Sequence, residues 1–413
     1  MNSKLLEILR CPFCGSSLSL EQNDCLEISG QEIRQGILYC QCCAYPVIDG
    51  IPVLRVDETT QTAMEQLGAG EKEQALYTML GLDEQRREKF RQYVKRGAQA
   101  TYRAGIEILG PDAEGTYFLY RFSDPRFLVS QSVLRAIGQN PSLLNKGVLD
   151  VCGGSGHLTR ILCQIACGQA VVLADIVFYK LWLAKRIVAP GCLPVCCNAD
   201  NPLPFEKGAF SLVFCSDAFP FIWSRRLLSC EMMRMAGDDG LVALTHLRNS
   251  LCQHYSSSMP LTPDGYQHLF ADLGARLFRE SRLLDRRLHR KPVDLSMVEP
   301  VEALADEAEM TLIATRRAEV FRLYETVENH RVDGELRVNP LYQMENNGRR
   351  TILNLRFPTE EYAEEFAACK CYLAETVTVR SEILRNLNAG EMNGEVRELV
   401  EQYVLLDLPK GYY

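Results

Sequence analysis

From Gly147 onward, short apolar runs alternate with longer amphipathic segments. GVLDV, AVVLAD, CLPVCC, FSLVFCS and GLVALTH are almost continuously hydrophobic. Between them HLTRILCQIA, FYKLWLAKRIV and RRLLSCEMMRMA carry apolar residues at helical spacing. Strands covered on both faces read as unbroken apolar runs, so the alternation predicts a parallel sheet with helices on either side. After a helix over 263–274, ARLFRESRLL and MTLIATRR predict two further strands, which makes seven. Upstream, residues 56–100 are polar with helical spacing. Residues 101–145 add aromatics (Tyr102, Tyr117, Phe118, Tyr120, Phe122, Phe127) ahead of the amphipathic FLVSQSVLRAIGQ. Downstream, RVNPLYQMENNGRRTILNLRF predicts a hairpin turning at Asn347-Gly348, and helices follow over 359–372 and 395–403.

Length and charge narrow the picture. A chain of 413 residues exceeds the ~250–300 at which a single core stops growing, so several units are expected. A net charge of −8 disfavours nucleic acid as the main partner. The one basic stretch, Arg282, Arg286, Arg287, Arg290 and Lys291, reads as solvated surface. No apolar run approaches the ~18 residues of a membrane span, and residues 1–10 lack the apolar run of a secretory leader. Seventeen cysteines, an odd number, argue for reduced thiols and a cytoplasmic location.

Several cysteines are grouped. Cys11-Pro-Phe-Cys14 is followed, 25 residues on, by Cys40-Gln-Cys42-Cys43. Two Cys-x-x-Cys pairs at such a separation suit a tetrahedral zinc site of Cys11, Cys14, Cys40 and Cys43, with Cys42 the alternative fourth ligand. Four thiolates leave the metal no open position, so the zinc is structural. A segment this small also needs a staple to fold. These pairs, with Tyr45-Pro46-Val47-Ile48-Asp49-Gly50-Ile51-Pro52-Val53 after them, resemble the zinc-ribbon family that includes the activator subunit of eukaryotic tRNA and protein methyltransferases. The resemblance covers residues 1–55. It implies a ribbon that stabilises a methyltransferase or shields an apolar surface on it.

Val148-Leu-Asp150-Val-Cys152-Gly153-Gly154-Ser155-Gly156 reads as strand, glycine-rich turn and helix start, which suits close approach of a ligand to backbone N–H groups. Asp175 ends the next strand, where a carboxylate can accept ribose hydroxyls. Asp200 ends the third strand and Ser216-Asp217 the fourth. DVCGGSG and NADNPLPFEKGAFSLVFCSDAFPFI resemble class I S-adenosylmethionine-dependent methyltransferases of the small-molecule type. The resemblance implies an α/β, Rossmann-like seven-stranded core over 146–317. It also implies that Asp150, Cys152, Gly153, Gly154 and Gly156 face the methionine part of the cofactor. Asp175 and Ile176 would then take the ribose, Ala199, Asp200 and Asn201 the adenine, and Ser216 and Asp217 the neighbourhood of the sulfonium. Cys152 and Ser211 depart from the family pattern, where a glycine and an aspartate are usual.

The expected organisation is a ribbon over 1–57, a helical linker or lid over 58–145, the methyltransferase core over 146–317, and an α+β extension over 318–413. The extension is read as a domain, a lid or a homodimer interface. A general base belongs near the carboxyl ends of strands four or five, which singles out His246, with His254 a lesser rival and His157 packing near the cofactor. The fourth strand ends in Ser-Asp-Ala-Phe, without the Asn-Pro-Pro-Tyr of resembling amide and adenine N-methyltransferases. Asn339-Pro340-Leu341-Tyr342 reads as a turn. The acceptor expected is therefore a small molecule methylated at O or C, with N less favoured. The alternatives are an RNA or protein methyltransferase with a fused activator, and a binding protein that no longer methylates.

Overall fold

Seven core strands form one mixed sheet in a computed structural model that describes residues 1–111, 113–254, 257–327, 332–387 and 393–413. Five short strands precede them in the ribbon: β1 (Ser19–Leu20), β2 (Glu27–Ser29), β3 (Glu32–Tyr39), β4 (Ala44–Ile48) and β5 (Ile51–Pro52). The core strands are β6 (Gly147–Val151), β7 (Val171–Asp175), β8 (Leu193–Cys196), β9 (Phe210–Ser216), β10 (Leu241–Arg248), β11 (Ala275–Arg279) and β12 (Glu309–Ala314). Their order is β11-β12-β10-β9-β6-β7-β8, and β12 runs antiparallel to both of its neighbours. The strand order reverses beside β6, so the ends of β6 and β9 open a crevice at the switch point.

The ribbon docks on the edge of this sheet. Leu54 N–H donates to the Cys196 carbonyl (2.7 Å), Arg10 N–H to Pro204 (2.9 Å), and Glu206 N–H to Ile8 (2.9 Å). Val53 lies parallel beside Cys196. The Leu54–Cys196 bond covers the end of β8, an edge that would otherwise offer unpaired backbone groups, and the other two tie the ribbon to the loop that follows that strand. Leu9, Leu38, Tyr45 and Val47 of the ribbon share one apolar cluster with Leu149, Val195, Phe205 and Val213 of the sheet. Asp49, at the tip of the β4–β5 turn, accepts from Trp182 Nε1 (2.8 Å) and pairs with Arg186.

Four helices of the linker begin on side-chain caps, in which Asp57, Asp83, Thr101 and Asp124 accept from backbone N–H groups. Each such cap contributes about 1 kcal/mol. The extension adds β13 (Glu335–Val338), β14 (Tyr342–Asn347), β15 (Arg350–Leu355), β16 (Thr376–Arg380) and β17 (Leu405–Leu408). Its last residues reach back to the helices that precede the core. Tyr412 stacks on Tyr102 with centroids 4.6 Å apart and donates to the Phe118 carbonyl (2.8 Å), and Tyr413 donates to Leu119 (2.6 Å).

Three expectations need correction. ARLFRESRLL holds two elements, because the strand stops at Arg279 and Glu280–Leu288 is helical. Leu284 and Leu288 are four residues apart, a helical spacing that the alternating strand pattern cannot use. The hairpin turns at Gly348-Arg349, since Asn347 still pairs with Arg350, and Gly348 takes the positive φ (66°). The RVN segment pairs with β17 and lies outside that hairpin. The basic stretch is also less solvated than expected, because Arg287 is buried and donates to the Val327 carbonyl.

Candidate active site

The loop after β6 is built so that backbone can be approached closely. A Cβ on Gly153 would sit 2.5 Å from Asp150 Oδ2 and from Leu173 Cδ1, so only glycine fits. Gly154 N–H donates to Asp175 Oδ2 (2.9 Å) and Val177 N–H to Asp175 Oδ1 (2.8 Å). One carboxylate at the end of β7 thereby fixes two loops. Thr159 Oγ1 donates to Asp150 Oδ2 (2.6 Å), and burial pushes the Asp150 carboxyl up to about 7. Burial also raises Asp175. Cys152 occupies the left-handed region at φ 58°, a cost of about 1–2 kcal/mol for a residue with a Cβ. Ser211 accepts from Lys146 N–H and donates to its carbonyl, a structural role.

A cavity of about 610 Å³ opens over this loop, within the range that holds small ligands. Of the predicted cofactor residues, Asp150, Cys152, Gly153, Gly154, Asp175, Ile176, Ser216 and Asp217 line it. Gly156 instead starts helix His157–Ile165 at φ 81°, with Ala184 packed against it. Ala199, Asp200 and Asn201 do not line the cavity. Ala199 is buried, and Asp200 Oδ1 accepts from Ser224 N–H (2.9 Å). His157 lines the wall and bonds Tyr412 through Nε2 (2.7 Å).

His246 is not where the sequence suggests. It is fully buried, outside the cavity lining, at φ 57° within a break in strand register between Leu244 and Leu247. Its Nδ1 lies 2.5 Å from Glu280 Oε2, and Nε2 lies 2.7 Å from the Arg126 carbonyl and 3.1 Å from Ser130 Oγ. Both ring nitrogens are engaged, so it is a structural ion-pair partner and not a general base. His254 Nε2 is likewise engaged, 2.8 Å from the Asn249 carbonyl. Burial pushes the His246 pKa down, and the carboxylates of Glu280, Glu309 and Asp217 together more than offset it, so the net shift is upward from 6.5. Glu280 is pushed up by burial and down, by more, by His246, for a net fall from 4.5. The His246 contribution is full below 6.5 and lost as pH rises through its raised pKa. The Glu280 contribution is present above 4.5 and lost as pH falls through its lowered pKa. The pair is therefore strongest between 4.5 and 6.5. His246→Gln is expected to cost about 3 kcal/mol in urea unfolding at pH 6, because it strands a buried carboxylate. That gap should narrow above the raised pKa of the histidine.

The other half of the cavity was not legible as a motif. Arg121, Arg126 and Arg248 line it, all nearly buried, together with Tyr117, Phe221 and Glu365. Asp217, at φ 62° just beyond β9, sits among them: Tyr117 Oη is 3.2 Å away, Arg126 3.6 Å, Arg121 3.7 Å and Arg248 3.8 Å. Burial pushes Asp217 up, and the charges of Arg126, Arg121, His246 and Arg248 together more than reverse this, so it stays ionised. Glu365 comes from helix Glu360–Glu365 of the extension, and the neighbouring Phe366 stacks on Tyr117 with centroids 5.7 Å apart. The extension thus contributes Glu365 to the lining of the site.

The cysteine sulfurs of the ribbon converge. Cys11, Cys14, Cys40 and Cys42 bring their Sγ atoms within 4.8 Å of one another. A tetrahedron with Zn–S bonds of ~2.3 Å has S–S edges of about 3.8 Å. The observed separations are 3.5 Å (Cys11–Cys42), 3.5 Å (Cys40–Cys42) and 3.8 Å (Cys14–Cys40), so the donor set fits that metal. The expected fourth ligand, Cys43, stands outside the set. Its carbonyl accepts from Cys40 N–H (2.9 Å), and this tight turn brings Cys42 round to the others. Tyr45 Oη is 3.2 Å from Cys11 Sγ, a contact that steadies that sulfur.

Residues 149–244 match the family model for a methyltransferase domain. A UPF0434 protein of Paraburkholderia phymatum is 44% identical over 62 residues, 15% of this chain and 79% of that protein. One of Methylobacillus flagellatus is 41% identical over 68 residues, 16% of this chain and 95% of that protein. The fold is similar to a SAM-dependent methyltransferase from Aquifex aeolicus (15% identity, 41% of this chain and 81% of that one, TM-score 0.29). It is also similar to the YcgJ protein of Bacillus subtilis (14% identity, 44% and 99%, TM-score 0.31). Among the described residues no helix is long and apolar enough to cross a membrane. The chain belongs, through a stretch of ribbon length, to the UPF0434 family, and its residues 149–244 match a methyltransferase domain.

Proposed function

We propose that the cavity holds S-adenosylmethionine along the β6 and β7 loops and presents its methyl group to a small-molecule acceptor in the arginine-lined half. The observation that carries this reading is continuity: one cavity joins Asp175 and the glycine loop to a chamber walled by Tyr117, Asp217, Arg248 and Glu365. The cofactor supplies an electrophilic methyl on a sulfonium, which a nucleophile takes in line. Asp175 has the lone pairs for the ribose hydroxyls, and Gly153 and Gly154 let backbone approach the methionine part. Asp217, held ionised at the end of β9, is placed to favour the sulfonium charge. Tyr117, Phe118 and the extension exclude water and align the acceptor. With His246 sequestered, Asp217 and Glu365 are the carboxylates lining this half among the described residues. Asp217 is too acidic for a strong base, which favours an O, C or N acceptor that arrives already nucleophilic. A structural zinc on Cys11, Cys14, Cys40 and Cys42 completes the reading. Seventeen unpaired cysteines suit the cytoplasm.

The docking of the ribbon on β8 favours the second reading, an RNA or protein methyltransferase with its activator in cis. Incubating the protein with tritiated S-adenosylmethionine and a fractionated cell extract separates the two. Label is expected in a product below ~1 kDa that chromatography separates from the unreacted cofactor and that forms only when the protein is present. Label confined to RNA or protein would overturn the small-molecule reading.

A further inference from the structure

We propose that Arg126 and Arg248 form the seat for an anionic group, carboxylate or phosphate, on the methyl acceptor, and that Glu365 of the extension fills that seat when no acceptor is bound. This rests on the methyltransferase reading of the cavity.

Two nearly buried guanidinium groups from different elements face the same space. Arg126 stands in the first turn of helix Pro125–Gly138, and Arg248 ends β10. Each is fixed from behind. Arg126 Nε donates to Glu309 (2.9 Å) and its guanidinium lies over the Phe366 ring at 5.0 Å. Arg248 Nη1 donates to Ser258 (3.4 Å) and its guanidinium lies over Phe221 at 4.9 Å. Rigid, dehydrated arginine forks suit carboxylate and phosphate oxygens.

Glu365 Oε1 lies between these two heads, 2.9 Å from Arg126 Nη1 and 3.9 Å from Arg248 Nη2. It hydrogen-bonds one arginine and meets the other only through charge. The other carboxylates of the network are tied to the sheet or to the helix that flanks it: Asp124 is completely buried and caps helix Pro125–Gly138, Asp217 follows β9, and Glu309, as exposed as Glu365, is held by β12. Glu365 ends a six-residue helix and keeps a side chain 26% exposed. It can withdraw without disturbing a strand. An incoming monoanion would replace its charge one for one, so the swap leaves the network as balanced as before. The cofactor site and the seat share one cavity, which places an anion on the seat beside the methyl donor.

The test uses the full chain loaded with S-adenosylhomocysteine, titrated by calorimetry with benzoate and with phenyl phosphate. The probe that binds tells carboxylate from phosphate. Glu365→Gln is expected to tighten that probe about fivefold or more, since the resident competitor loses its charge. Arg248→Gln should weaken it at least tenfold, and Arg248→Lys should restore part of the loss. Binding of S-adenosylhomocysteine should stay within twofold throughout. Weaker probe binding in Glu365→Gln, or no binding of either probe to any variant, would overturn the proposal. Probe binding that S-adenosylhomocysteine abolishes would also overturn it, because the arginines would then hold the cofactor's own carboxylate. Failure of well-folded wild-type protein to bind S-adenosylhomocysteine would instead sink the underlying methyltransferase reading.

Discussion

Asp175→Ala is expected to raise the dissociation constant for S-adenosylmethionine at least 100-fold, a loss of about 2.7 kcal/mol, as read by calorimetry. Asp175 is buried to 8% exposure at the end of β7, and its two oxygens accept from Gly154 and Val177 N–H groups. Truncation acts twice. It strands a buried loop amide, worth about 1 kcal/mol, so the glycine loop loses its brace. It also removes the charged acceptor for the ribose hydroxyls, and hydrogen bonds to charged groups are worth about 1.5–3 kcal/mol. Asp175→Asn is expected to fall between alanine and wild type. The amide keeps one acceptor oxygen and the shape of the site but turns a donor toward the second N–H, so one loop keeps its brace while binding falls about tenfold. Melting curves check that both variants fold. An alanine variant that bound the cofactor within threefold of wild type would remove Asp175 from the site.

Most core strands were readable because they are covered on both faces and show as nearly unbroken apolar runs, from GVLDV in β6 to MTLIA in β12, whereas β11 (ARLFR) carries two arginines and its end was not legible. The half of the cavity beside the β6 and β7 loops was readable because its groups follow one another along the chain at fixed offsets from strand ends. His246 misled because position along a strand implies direction only while the register holds. The irregularity between Leu244 and Leu247, with φ 57° at His246, turns the ring inward toward Glu280. The arginine half left no sequence signature. Arg121 and Arg126 precede the core, Arg248 ends β10 and Glu365 belongs to the extension, so only folding brings them together. The fourth sulfur depended on a single turn. The sequence offers Cys42 and Cys43 side by side, and the Cys40–Cys43 backbone bond decides between them.

That choice carries the other large expected effect. Cys42→Ser is expected to abolish zinc binding measured by atomic emission, while Cys43→Ser keeps one zinc per chain. The consequence reaches beyond the ribbon. A segment of this size buries too little apolar surface to fold unaided, and metal binding to such units is folding free energy. Once it loosens, the backbone bonds to Cys196 and Pro204 are lost, β8 becomes an open edge, and the apolar cluster around Phe205 and Val195 is uncovered. Loss of about 3–5 kcal/mol of docking would lower the melting temperature by about 3–6 °C, and the exposed edge should make the heated protein aggregate. Cofactor affinity should fall as well. Asp49 braces Trp182 and Arg186, and Lys180, which lines the cavity and pairs with Glu114, shares a helix with Trp182. If Cys42→Ser and zinc-stripped wild type both melted and bound cofactor as the untreated protein does, the ribbon would be an appendage. The bonds across β8 argue instead that it is the outermost part of the sheet.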